Sequence, residues 1–227
     1  MSAPWFLRSL RARYDSAALQ VAPPDPAATR GPVSQAFRRH AWPALEAWCF
    51  AGAGDGVSPL WNPWALPRVP TRFSVAVLAG APEGPDADLP ALAEAFSRHI
   101  DGSDQLAALT GAAARTALRL HVKWQDAQWW RARRRTDPWD SGYLPDGEAA
   151  LSALEAFCPR RATLLVALNL PAAALAPRIA LLGRRSAGFA HPVRLLVVGT
   201  PVPAGGGEVT VIAVDQARSS SSVPSMS

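Results

Sequence analysis

Five short apolar runs constrain this chain most: residues 73–79, 117–124, 162–168, 193–199 and 208–214, each bounded by turn-forming residues. Between them lie stretches with helical spacing at about 88–100, 104–115, 147–157 and 172–187. Runs of six to eight apolar residues are too short for helices packed in a core but suit strands covered on both sides. Strands that alternate with helices need crossover connections, and these produce parallel pairing. The expected architecture is therefore α/β: a mostly parallel sheet flanked by helices on both faces. A chain of 227 residues with 49% hydrophobic content can bury one sizeable core of this kind.

The ends have a different character. Residues 1–20 form a basic amphipathic segment, with Trp5, Phe6, Leu10 and Tyr14 near one helical face and Arg8, Arg11 and Arg13 around it. Residues 21–32 are rich in proline and read as a linker. A helical and extended lead-in follows over 33–70, with a helix over roughly 35–50. The core is expected over 71–217, and the serine-rich residues 218–227 read as a disordered tail. A segment as short as 1–20 is marginal as an isolated helix, so it is expected to gain order by docking, preferably on a partner.

The first core strand runs into a glycine turn and a helix start, Gly80-Ala-Pro-Glu-Gly84-Pro85-Asp86-Ala87-Asp88. This is the layout of a nucleotide-binding loop of the form GxxxxGK[ST], in which backbone N–H groups cradle phosphates, the lysine neutralises charge and the hydroxyl holds Mg²⁺. Counted from Gly80, the second glycine position is Pro85, the lysine position Asp86 and the hydroxyl position Ala87. A donor, a cation and a metal ligand are missing together, and a carboxylate stands where phosphate charge would accumulate. Two readings of the carboxylates stay open. Asp86 and Asp88 replace phosphate at the positive end of the helix, or Asp88 simply caps it, with Pro90 tolerated in the first turn.

This strand-turn-helix unit is followed by Trp139-Asp-Ser-Gly-Tyr-Leu144, by the strand 162–168 running into Asn169, and by His191-Pro-Val-Arg-Leu-Leu-Val-Val-Gly-Thr200. In this order the elements resemble the NTPase core of bacterial STAND-type P-loop ATPases, over roughly residues 70–214. The resemblance implies a P-loop-type sheet, an acidic Walker B residue at the end of the 162–168 strand, and a sensor residue at the end of the next. This chain carries Asn169 at the first place and Thr200 at the second. An amide brings no charge with which to hold a divalent ion. The resemblance with these departures implies a degenerate P-loop (Gly80, Gly84, Pro85, Asp86, Ala87, Asp88), a degenerate Walker B position (Asn169), no catalytic residues and no cofactor. Nothing after residue 214 resembles the switch regions of the family's larger members.

Charge points less clearly. The net charge is +5 and the isoelectric point about 10.2, but Lys123 is the only lysine, and arginine enrichment also follows from a GC-rich genome. Arg131, Arg133, Arg134 and Arg135 follow Trp129 and Trp130, a mixture able to hold phosphates and stack bases or to face a protein partner. As a charge run before Asp137-Pro138 it also suits a solvated face. His121 and Lys123 fall on the outer face of an alternating strand, where Lys123 is either a displaced phosphate ligand or an edge lysine that discourages aggregation. His40, His99, His121 and His191 are spread without ligand spacing, so no metal site is expected. A grouping of His191, Asp140 and Ser186 lacks the elbow that exposes a nucleophile. Cys49 and Cys158 give no disulfide framework. No secretory leader or membrane span is expected, and a cytoplasmic setting fits best. The functional expectation is an inactive NTPase-like protein that binds or scaffolds another protein. A residual nucleotide binder and a nucleic-acid-binding accessory protein are the alternatives.

Overall fold

Two strands, β3 (Thr163–Leu168) and β4 (Val193–Val198), are buried at every residue, as continuous apolar runs require when both faces of a sheet are covered. They form the middle of a five-stranded sheet with β1 (Phe73–Gly80), β2 (Asp140–Tyr143) and β5 (Val209–Val214) in the order β2-β3-β4-β1-β5. All four pairings are parallel. The computed structural model describes residues 19–30, 33, 35–51, 72–80, 89–108, 111, 138–159, 161–189, 191–201 and 209–214. The expected strand at 117–124 and the expected tail at 218–227 lie outside them.

One face is covered by α1 (Gln35–Phe50) and α2 (Leu89–Ile100), which is followed by the short α3 (Ser103–Ala108). Leu45 and Cys49 of α1 and Leu92 and Phe96 of α2 pack on Ala76, Leu78, Val166, Leu196 and Val198. The other face takes α4 (Glu148–Ala156) and α5 (Ala172–Arg185), with Leu154, Leu175, Ile179 and Leu182 against Val75, Leu165, Leu195 and Val197. Alternate strand residues thus enter opposite cores, as the period of two demands. Pro43 and Pro177 lie within α1 and α5, both on exposed positions, where a missing N–H does least harm.

β2 is a difference from the sequence reading, in which 139–144 was a motif rather than a strand. Asp-Ser-Gly-Tyr has no apolar run, yet it pairs in register with Thr163–Val166. A second difference concerns the N-terminal part. Leu19 and Gln20 dock on the core: Leu19 is buried, and Gln20 bridges Tyr143.

Arginine accounts for the remaining architecture. Arg194 is the one charged residue in the β4 run and is fully buried. It is level with Ser74 on β1 and Leu164 on β3. Its Nε donates to the Cys49 carbonyl at 3.1 Å and its Nη2 to that of Ala51 at 2.5 Å, so the carbonyl end of α1 is tied to the sheet centre. Carbonyls at a helix C-terminus have no partner within the helix, and a cation there also complements the helix dipole. Arg178 donates to Ala174, Pro145 and Gly147 carbonyls at 2.6, 3.0 and 2.8 Å. Arg185 reaches the Leu154 carbonyl at the end of α4, and Arg72 that of Phe189.

Replacing Arg194 by methionine keeps the bulk but strands the buried Cys49 carbonyl and frees that of the exposed Ala51, so Arg194→Met is expected to cost about 1–3 kcal/mol, measured as a lower urea midpoint with an unchanged slope. Burial also pushes the Cys49 thiol up from 9.0 to about 12, opposed by Arg194 and reinforced by Glu46. The Tyr143 phenol is raised as well, first by burial and then by its hydrogen bond to Glu94. Both groups hold a proton in the folded state that the unfolded chain releases. Their contribution is complete below pH 9 and is lost as pH rises toward 12. Urea midpoints are therefore expected to stay level from pH 7 to the ordinary thiol value and fall above it, with a shallower fall in Cys49→Ala.

Candidate functional site

In an open parallel sheet a ligand crevice forms at the carboxyl ends of strands, where successive connections leave for opposite faces. Here β1 leads to α2 on one face and β3 leads to α5 on the other, with β4 between them. The register aligns Leu78 of β1, Val198 of β4 and Leu168 of β3. Gly80, Asn169 and Thr200, singled out separately in the sequence, therefore share this one edge. Gly84, Pro85, Asp86, Ala87 and Asp88 lie outside the described residues, as do Lys123, Trp129, Trp130, Arg131, Arg133, Arg134 and Arg135. The helix α2 starts at Leu89, directly after Asp88 in sequence.

The geometry of the edge is set by two left-handed residues. Asn169 has φ 52°, and Gly199 has φ 76°. Asparagine tolerates this conformation better than most side chains because its short polar group interacts locally. The ladder runs one step past β3, with the Asn169 N–H donating to the Val198 carbonyl at 2.9 Å. The chain then turns into Leu170-Pro171 and the start of α5. Gly199 is needed here twice over. A methyl group on it would meet the Asn169 Oδ1 at 2.0 Å, and the backbone conformation itself disfavours a side chain. The Thr200 hydroxyl donates to the Leu170 carbonyl at 2.7 Å, joining the turns after β3 and β4.

Asn169 and Thr200 offer no charge to a magnesium nucleotide. The position at the end of β3 is a neutral amide packed on Gly199, and the Thr200 proton is committed to a backbone carbonyl. In sequence the loop positions that would neutralise phosphate and ligate the metal are Asp86 and Ala87. Among the described residues no group of three His, Cys, Asp or Glu side chains is placed to hold a metal ion.

The paper grouping of Ser186, Asp140 and His191 lies away from this edge. Asp140 begins β2 and stands 3.6 Å from the Arg161 Nε, His191 precedes β4, and the Ser186 hydroxyl donates to the Gly183 carbonyl. His99 faces Glu46 at 3.4 Å and the edge of Trp42, on the outside of α1 and α2. Sequence reasoning missed the roles of Arg194 and Gly199. The signal for Arg194 was a single arginine inside a strand otherwise continuous in apolar residues. Gly199 gave none, because its requirement comes from a side chain thirty positions away.

Comparison with protein-family models, with curated proteins and with solved structures finds no match.

The contact between Asn169 and Gly199 is testable by a double-mutant cycle. Gly199→Ala is expected to destabilise by about 1–3 kcal/mol, combining a clash with an unfavourable φ. Adding Asn169→Gly removes the clash alone and should recover part of that loss. Additive effects in chemical denaturation would show that the two residues do not touch.

Proposed function

We propose that this chain is a catalytically silent P-loop-type core that works by binding another protein. One observation carries the reading: at the carboxyl edge where such a core would do chemistry, the described side chains after β3 and β4, Asn169 and Thr200, are neutral and turned onto the chain's own backbone. Asn169 and Thr200 close the turns after β3 and β4 rather than presenting charge to a ligand. The resemblance to STAND-type ATPases rests on the order of elements and on the residues quoted for it. The strand leading to the glycine turn and the strand ending in Asn169 flank β4, an arrangement compatible with it.

The internal use of arginine bears on the nucleic-acid alternative. Arg178 and Arg194 are buried, and Arg72 and Arg185 also donate to carbonyls, so part of the net charge serves the fold rather than a phosphate-binding surface. No helix among the described residues is long and apolar enough to cross a membrane. Cys49 and Cys158 are not joined in a disulfide, which suits the cytoplasmic setting that belongs to this proposal.

A ligand stabilises the native state only in proportion to its occupancy. Millimolar ATP or GTP with Mg²⁺ is accordingly expected to leave the melting temperature unchanged. An upward shift of several degrees, or turnover above a purified blank, would overturn the silent-core reading in favour of a residual nucleotide binder. Binding to short DNA that weakens steeply between two salt concentrations would favour the nucleic-acid alternative instead.

A further inference from the structure

The chain meets its own edge strand at β2. Gln20 and Tyr143 exchange both backbone hydrogen bonds, at 2.9 and 2.8 Å, forming a hydrogen-bonded pair of an antiparallel ladder. Leu19, beside it, is 6% exposed and seated over Gly142. A methyl group at 142 would lie 2.5 Å from the Leu19 Cγ, 2.7 Å from its Cδ2 and 3.1 Å from the Gln20 carbonyl oxygen. The seat therefore exists because residue 142 has no side chain. It opens into the apolar cluster that holds Leu144, Leu165 and Leu154. The contact ends abruptly, since Val21 is 93% exposed and Pro23, Pro24 and Pro26 follow.

We propose that the β2 edge with its Gly142 seat is a strand-addition site for an extended segment of a partner protein carrying a leucine or similar aliphatic residue. Leu19–Gln20 occupies it as an internal competitor. This rests on the reading of the chain as a protein-binding module and names the chemistry of the partner. The strap displays what the site accepts: an extended backbone for the Tyr143 amide and carbonyl, and one branched aliphatic side chain for the seat. Backbone pairing gives strand addition its affinity, and a side-chain pocket gives it selectivity. Among the described residues the strap contributes one exchanged backbone pair and one leucine. Its tether gives it a high local concentration, which lowers the apparent affinity of any free competitor.

The probe is a fluorescein-labelled peptide spanning residues 16–23 of this sequence, titrated by anisotropy against the full chain. Leu19→Gly should bind it at least about tenfold more tightly than the wild-type chain, because the internal competitor has lost its anchor. Adding Gly142→Val to Leu19→Gly should abolish that binding. Equal affinity for wild type and Leu19→Gly, or binding indifferent to Gly142→Val, overturns the proposal. Should circular dichroism show either variant unfolded, the probe is added in excess to the wild-type chain and hydrogen exchange is read at the Gln20 amide. Faster exchange supports displacement, and unchanged exchange overturns it. A concentration-dependent wild-type dimer in sedimentation that Gly142→Val dissolves would identify a second copy as the occupant, and would likewise overturn the assignment to a foreign segment. The nucleotide thermal shift reads the underlying proposal separately, so a failed peptide titration without a nucleotide shift removes the strand-addition site alone.

Discussion

Covering β3 and β4 on both faces forces helices onto both sides of the sheet, and the ends of those helices and loops bring backbone carbonyls inside. A buried acceptor without a donor costs as much as a lost hydrogen bond. This chain meets the demand with guanidinium groups. Arg194 serves the end of α1, Arg178 the approach to α4, Arg185 the end of α4 and Arg72 the approach to β4. The long arm and several N–H donors of arginine let one side chain serve two or three carbonyls, which a lysine ammonium on a flexible stem does less well. Burial lowers the Arg194 pKa, and its fixed carbonyl partners compensate for the loss of water.

The same packing sets the candidate site at one edge of the sheet. Parallel strands in register bring their carboxyl ends level, and the turns after β3 and β4 are stitched to each other through Asn169, Gly199 and Thr200. A charged carboxylate at position 169 would sit on that seam. The amide accepts the left-handed backbone without adding charge. Shape and chemistry at this position therefore agree, since one neutral side chain both fits the turn and fills the seam.

The fold was legible wherever burial was two-sided. Runs expected at 73–79, 162–168, 193–199 and 208–214 appear as β1, β3, β4 and β5 within one residue at each boundary, and two of them, β3 and β4, are buried at every residue, as apolar runs covered on both faces are. The helices at 35–50, 88–100, 147–157 and 172–187 follow for the corresponding reason, since each shows the core an apolar stripe. The strand β2 was not legible. It lies at the sheet edge and contains Asp140, Ser141 and Gly142, and its pairing is imposed by β3. The docking of Leu19 was hidden too, since it depends on the missing side chain at Gly142.

Composition and periodicity alone thus determined the α/β class, four of the five strands and the residues that end them, because each reflects local burial written directly into residue type. Gly80, Asn169 and Thr200 were legible as the residues that follow or close those runs. The strand order, which places β4 between β1 and β3, was decided only in three dimensions, and with it the meeting of Gly80, Asn169 and Thr200 at one edge. The pairing of Arg194 with a helix end more than a hundred and forty positions earlier was decided there as well. A hydrogen bond or a steric fit between distant residues leaves no period in the sequence, so only the packed chain reveals which arginine is structural and which glycine is a seat.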